Sequence, residues 1–283
     1  MEKTFLVVGG NSKIGRYLIP ALENRGDIVY KTSRRRDEYG ALWLDFLELD
    51  SFFQNNPPAV DVVVLCAGKT KFEDCRNFDR NVYEINVDGP VRVASFYAKK
   101  GAKIIQLSTN AVFNGERPFV SDITIPNGVT GYGCLKAEVE SQLINLNSRV
   151  SILRFSKIII PSENIFFIWL QCLKKGKKIN AFKDQFISPV AIKLAISVIL
   201  AVIDDDNEGI YQFSACGDIS YFEIAQKMVR MCGFNEGLIY EESAAEIGIP
   251  KDEIFRYSSL DSSRIESLKI ISPDPFSILN DII

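Results

Sequence analysis

Histidine is absent from the 283-residue chain. Without an imidazole there is no Ser-His-Asp triad, no Cys-His dyad and no His-ligated zinc. Catalysis must rest on Tyr, Lys, Ser or Thr, Cys, a carboxylate or a cofactor. Cysteine is sparse: the six residues Cys66, Cys75, Cys134, Cys172, Cys216 and Cys232 include no C-x-x-C pair, so no structural zinc site is expected and no other metal ligand set stands out. Cys66 and Cys172 sit in apolar runs, as small buried hydrophobes do, which points to reduced thiols and a cytoplasmic setting. Neither sign of charge dominates: 33 Lys+Arg face 36 Asp+Glu, a formal charge of −3 that argues against a nucleic-acid partner. Long hydrophobic runs are missing too. The longest, near Ala191–Ile203, contains Lys193 and is too short to span a bilayer. The first apolar run, Phe5–Val8, is four residues long and enters a glycine turn at once, unlike a signal peptide. No membrane partner is expected.

The composition, 47% hydrophobic and 24% charged, is that of an ordinary globular chain long enough for one large domain, or for a large and a small one. Short β-branched runs at Thr4–Val8, Asp27–Thr32, Ala41–Leu44, Val62–Cys66, Lys103–Leu107 and Val150–Arg154 read as buried parallel strands. Between them, Ile14–Arg25, Val82–Lys99 and Gly133–Leu146 read as amphipathic helices. That alternation predicts an α/β fold with a doubly wound parallel sheet, and ligands bind along the C-terminal edge of such a sheet. After Arg154 the rhythm breaks into helices at Phe166–Lys174, Val190–Ile203 and Tyr221–Met231. The expected division is a domain of residues 1–157 with a returning helix at about 184–205, and a smaller one from 158–183 and 206–283.

Gly9-Gly10-Asn11-Ser12-Lys13-Ile14-Gly15 follows the first strand directly and opens a helix. A glycine there permits a tight turn, and the helix start offers free N–H groups to a pyrophosphate. The bland alternative is a Gly-rich turn of purely structural use; the position after the first strand favours dinucleotide binding and a Rossmann fold. No acid ends the second strand. Lys31-Thr32-Ser33-Arg34-Arg35-Arg36 stands there instead, with Ser33, Arg34 and Arg35 as donors for a 2′-phosphate. This favours NADP(H) over NAD(H), the competing reading being a solvated basic loop. Asp37 and Glu38 follow too late in sequence to serve the ribose.

Tyr132-Gly133-Cys134-Leu135-Lys136 sets Tyr and Lys at i, i+4, on one face of the predicted helix. A ketone that accepts hydride needs a proton, and a Tyr next to an ammonium and a charged cofactor is expected to have a lowered pKa. By itself the spacing is common by chance. Two neighbours raise its weight: the nucleotide loop upstream, and a strand ending in Ser108-Thr109 at the sheet edge.

At this point the chain resembles the extended short-chain dehydrogenase/reductases, and within them the nucleotide-sugar branch of the dTDP-4-dehydrorhamnose reductases. Besides the loop and Tyr-x-x-x-Lys, the resemblance rests on Ala67-Gly68-Lys69, on Asn86-Val87-Asp88-Gly89-Pro90 and on Ser108-Thr109-Asn110-Ala111-Val112-Phe113-Asn114-Gly115. Ile152-Leu153-Arg154 and Asp184-Gln185-Phe186-Ile187-Ser188-Pro189 extend it. It implies that Thr109 hydrogen-bonds a substrate carbonyl, that Tyr132 donates the proton and that Lys136 supports both Tyr132 and the nicotinamide ribose. It further implies that Asp45 and Phe46 meet the adenine, that Ala67, Gly68, Lys69 and Asn86 flank the cofactor, and that the smaller domain holds a nucleotide-sugar. A homodimer is an assembly the family allows. Asn110 stands where the family has Asp, and Lys157 where rhamnose-forming members commonly carry Trp, so both are expected to bear on the substrate. The Lys174–Lys178 cluster is read as a solvated turn, with a nucleotide diphosphate as its other use. The leading expectation is an NADPH-dependent reductase of a 4-keto nucleotide-sugar. The alternatives are an epimerase or dehydratase of the same fold, and a non-catalytic NADP-binding regulatory subunit.

Overall fold

A computed structural model describes residues 2–146 and 148–283. Its centre is a sheet of seven strands: β1 (Thr4–Val8), β2 (Ile28–Ser33), β3 (Ala41–Trp43), β4 (Val62–Leu65), β5 (Lys103–Thr109), β6 (Val150–Phe155) and β7 (Gly209–Phe213). They run in the order β7-β6-β5-β4-β1-β2-β3, and every pairing is parallel. The strands are apolar on both sides because both sides are covered. Phe5 and Val7 point into one core, under helices α1 (Gly15–Glu23) and α5 (Ile192–Asp204); Leu6 and Val8 point into the other, under α2 (Gly89–Ala98) and α3 (Gly131–Ile144). Sequence order reverses between β1 and β4, which opens a crevice beyond their C-terminal ends.

A third core gathers Phe166, Trp169, Leu170 and Leu173 of α4 (Ile165–Lys174), Ile224, Ala225, Met228 and Val229 of α6 (Tyr221–Cys232), and Ile278, Leu279 and Ile282 of the C-terminal turns. Short strand pairs tie this part together, Ile179–Phe182 with Ile239–Glu242 and Phe186–Ile187 with Ile219–Ser220. Ser220 and Glu223 form a reciprocal cap at the start of α6, and Gly233, in the left-handed conformation, ends it.

Two sequence expectations need correction. Residues 209–213 were expected in the smaller part but add the seventh strand to the central sheet, pairing with β6. Five residues, Gly-Ile-Tyr-Gln-Phe, carry too little periodicity to announce which sheet they join. Residues 82–99, expected as one helix, are interrupted: Glu84–Asp88 form a π-helical turn before α2 begins. Pro90 explains the break. It has no N–H to give to the carbonyl of Asn86, and its ring crowds that carbonyl. The π turn places Asn86 at the crevice, where such irregularities commonly serve function.

Beneath the crevice lies a buried ion pair. Arg154 of β6 meets Glu140 of α3 with Nη2 2.6 Å and Nε 3.1 Å from the carboxylate, and both side chains are 1–2% exposed. Ser108 of β5 also donates to Glu140. Arg154 Nη1 reaches Gln212 of β7 at 3.1 Å, and Gln212 Nε2 reaches the Val120 carbonyl at 2.8 Å. One helix, three strands and the loop after β5 thus share one polar network. A buried carboxylate stripped of its partner is strongly unfavourable. Arg154→Met should therefore destabilise the protein by about 3–5 kcal/mol and lower its thermal midpoint by on the order of 10 °C. Calorimetry checks this, and a midpoint equal to wild type would refute it.

Candidate active site

The crevice between β1 and β4 holds a cleft of about 420 Å³. One wall is the loop after β1. Gly9 turns it with φ +85°, and a side chain there would bring Cβ to 2.8 Å from Ala67 Cβ. Ser12 N donates to the Gly9 carbonyl at 2.9 Å, and Ser12 Oγ accepts from Gly15 N at 3.0 Å. The N–H groups of Asn11, Lys13 and Ile14 have no partner among the described residues, which leaves the helix start able to bind an anion. The Lys13 side chain is exposed, and that of Ile14 packs against the core, so Ile14 offers the cleft only its backbone.

The end of β2 forms the next wall. Ser33, Arg34 and Arg35 line the cleft, with Ser33 buried and both arginines exposed. Trp43 Nε1 fixes the Arg34 carbonyl at 3.2 Å, and Arg35 N donates to Ser33 Oγ at 3.0 Å. Asp45 and Phe46 close the adjacent side: Asp45 Oδ1 accepts from Leu47 N at 3.0 Å, and Phe46 is buried. Glu38, distant in sequence from the loop, folds back onto Ser33 and Asn11.

Ala67, Gly68 and Lys69, after β4, form the far wall, with Ile85 beside them. Asn86 holds that loop from the π turn. Its Oδ1 accepts from Lys69 N at 2.8 Å and its Nδ2 donates to the Lys69 carbonyl at 3.0 Å. Asn86 therefore shapes the wall rather than lining it.

Thr109, half-buried, closes β5. Its Oγ1 accepts from Ala111 N at 3.1 Å and donates to Asn110 Oδ1 at 3.5 Å. Thr130 caps α3, its Oγ1 accepting from Gly133 N at 3.0 Å. Any Cβ at Gly133 would lie 1.9 Å from the Ala111 carbonyl, so only glycine lets α3 press against the turn that follows Thr109. The close approach brings Lys136 to the end of β5, with Tyr132 one turn before it on α3.

Lys136 is buried and donates from Nζ to the Leu107 carbonyl at 3.0 Å. Burial lowers its pKa to about 8, against the upward pull of Glu140 one turn along and of the thiols Cys66 and Cys75. Tyr132, half-buried with its ring 6.1 Å from that of Phe72, moves the other way: burial raises its phenol above the ordinary value, and Cys75 adds to the rise. The expected lowering of Tyr132 by Lys136 is not met in this arrangement, where burial of the phenol dominates and the Lys136 ammonium donates to the Leu107 carbonyl. Burial also pushes the Cys66 thiol up to about 12, so it is not a nucleophile near neutral pH.

The structure thus brings Gly9, Asn11, Ser12, Ser33, Arg34, Arg35, Asp45, Phe46, Ala67, Gly68 and Lys69 to one cleft. Thr109 ends the neighbouring strand β5, and α3, which carries Tyr132 and Lys136, packs against the turn after it. Lys157 stands apart and exposed, its Nζ 6.0 Å from the Tyr221 ring. Sequence reasoning missed Glu140, although it extends the Tyr132–Lys136 face by one further i+4 step. It also missed Phe72 and Phe255, whose rings lie 6.2 Å apart, and the Arg76–Glu253 pair at 2.6 Å. No local signal marks those four, since their partners are remote in sequence.

The Lys136 ammonium should titrate near 8 in competitive amine labelling against pH. Glu140→Gln removes the charge that holds it up, so its midpoint should fall further. A midpoint above 10, or an upward move in the variant, would contradict this balance.

The family model described as the RmlD substrate binding domain matches residues 3–278. A dTDP-4-dehydrorhamnose reductase of Streptomyces griseus is 27% identical over 270 residues, 92% of this chain and 86% of that protein. The methionine adenosyltransferase 2 subunit beta of Bos taurus is 25% identical over 227 residues, 77% of this chain and 67% of that protein. The crystal structure of dTDP-4-dehydrorhamnose reductase from Bacillus anthracis in complex with NADP superposes with a TM-score of 0.86 at 23% identity, over 99% of this chain and 98% of that one. That last likeness is one of fold.

Proposed function

We propose, on the premise that the chain belongs to the RmlD substrate binding domain family, that it is an NADPH-dependent reductase of a 4-keto nucleotide-sugar. It is an NAD(P)-dependent oxidoreductase of the extended short-chain dehydrogenase/reductase type. The observation that supports the finer reading is the packing of α3, which carries Tyr132 and Lys136, against the turn after Thr109, through the Gly133 approach to Ala111 and the Lys136 bond to Leu107.

The cleft suits a dinucleotide: unpartnered N–H groups at the start of α1 face one wall, and Ser33, Arg34 and Arg35 face another. The nucleotide supplies hydride when bound. Asn11, Ser12 and the helix start hold its diphosphate, Ser33 with the two arginines holds a 2′-phosphate, and Asp45 and Phe46 flank the adenine. Thr109 Oγ1 donates to the substrate carbonyl and so orients it. Tyr132, kept protonated by burial, has the form required to give its phenolic proton to the developing alkoxide. Lys136, anchored on the Leu107 carbonyl with its pKa lowered to about 8, holds the nicotinamide ribose. The part built around the third core, roughly residues 158–183 and 214–283, is the lobe for the nucleotide-sugar, with Lys157 and Asn110 turned to substrate choice.

A second reading is favoured by the likeness to the methionine adenosyltransferase subunit: a regulatory subunit that binds the dinucleotide and does not turn it over. Loss of the reduced-nicotinamide absorbance on adding 4-keto nucleotide-sugars decides between them. Binding of NADPH with no consumption across a panel of such sugars would favour the regulatory subunit.

Tyr132→Phe should reduce turnover by at least about a hundredfold and leave NADPH affinity nearly unchanged; wild-type turnover in that variant would remove Tyr132 as proton donor. Arg34→Ala should weaken NADPH far more than NADH, because the lost partner is the 2′-phosphate. Paired titrations check this, and equal losses for both nucleotides would count against it.

A further inference from the structure

We infer that Glu38 is the specificity-determining residue of the nucleotide cleft, a carboxylate seated on the donors that a 2′-phosphate needs and displaced whenever NADP(H) binds. The inference rests on the proposed reading of the cleft as a dinucleotide site.

Glu38 lies in the loop between β2 and β3. Its Oε2 accepts from Ser33 Oγ at 2.8 Å and from Asn11 Nδ2, and its Oε1 is 3.9 Å from Lys31 Nζ. Ser33 is buried, so its hydroxyl has few other partners to choose from; besides Glu38 it accepts from Arg35 N at 3.0 Å and from Asn11 Nδ2 at 3.3 Å. The same Ser33, Arg35 and Asn11 border the cleft. These contacts are strong enough that hydrogen bonds from Ser33 first, and Asn11 second, hold the Glu38 carboxyl below its ordinary pKa, with Lys31 and Arg35 adding to the effect. At neutral pH the residue is therefore an anion.

Two ribose substituents meet this anion differently. A 2′-hydroxyl can donate to the carboxylate where it sits, the role an acid plays in NAD sites. A 2′-phosphate has no hydrogen to share with it at neutral pH, carries like charge and seeks the same Ser33 and Asn11 donors. Glu38 must then swing out of the way, which its loop position permits, and leave Arg34 and Arg35 to the phosphate. The residue thus opposes NADP(H) and supports NAD(H), while the arginines do the reverse.

Dissociation constants for NADP⁺, NADPH, NAD⁺ and NADH, measured by calorimetry on wild type, Glu38→Gln and Glu38→Ala, test this. Glu38→Ala should tighten the two phosphorylated nucleotides roughly tenfold and weaken the other two severalfold. Glu38→Gln, which keeps an acceptor but not the charge, should tighten NADP(H) while holding NAD(H) near wild type. An unchanged ratio in Glu38→Ala, or weaker NADP(H), overturns the inference alone. Failure of the wild type to bind any of the four overturns the dinucleotide reading and the inference with it. The exposed loop makes both variants safe for folding, and their thermal midpoints provide the control.

Discussion

Glu140 and Arg154 form the interaction on which the rest of the site depends. The pair is almost wholly shielded from solvent and joins α3 to β6, with Ser108 of β5 and Gln212 of β7 attached to it. A charge in such a place is tolerated only when paired and hydrogen-bonded. The pair ties α3, which also carries Tyr132 and Lys136, to the strand beside β5. The same carboxylate raises the pKa of Lys136 against the burial that lowers it. One anion therefore serves both the packing of α3 and the electrostatics of Lys136.

At the other end of the cleft the balance is between anion and cation around Ser33. The near-balanced charge of the whole chain conceals a local contrast: Arg34 and Arg35 line the cleft as cations, and Glu38 accepts from Ser33 beside them. The two ends are linked by the sheet itself. Reversal of strand order between β1 and β4 opens the crevice, and β5, ending in Thr109, lies beyond β4.

Much of the fold was legible because parallel strands buried on both faces must be continuously apolar. Thr4–Val8, Val62–Leu65 and Lys103–Thr109 reveal themselves that way within a residue or two. The glycine loop was legible because a turn directly after a strand leaves few choices. The seventh strand was not, since Gly209–Phe213 becomes a strand only by pairing with β6, far away in sequence. The break at Glu84–Asp88 had a readable cause in Pro90, but its consequence, Asn86 gripping Lys69, did not. Phe72, Phe255 and the Arg76–Glu253 pair gave no sign, because each is defined by a contact and not by a pattern.

The chain's own order of residues determined the class of fold, the glycine loop after β1, the i, i+4 spacing of Tyr132 and Lys136, and the exclusion of histidine chemistry. All of these follow from periodicity and residue type, which are local properties. The tertiary structure alone decided that Lys136 is weakened by burial, that Tyr132 is pushed up and not down, and that Glu38 returns to Ser33. Desolvation and Coulomb energy depend on what surrounds a group in space, and residues remote along the chain supply those surroundings.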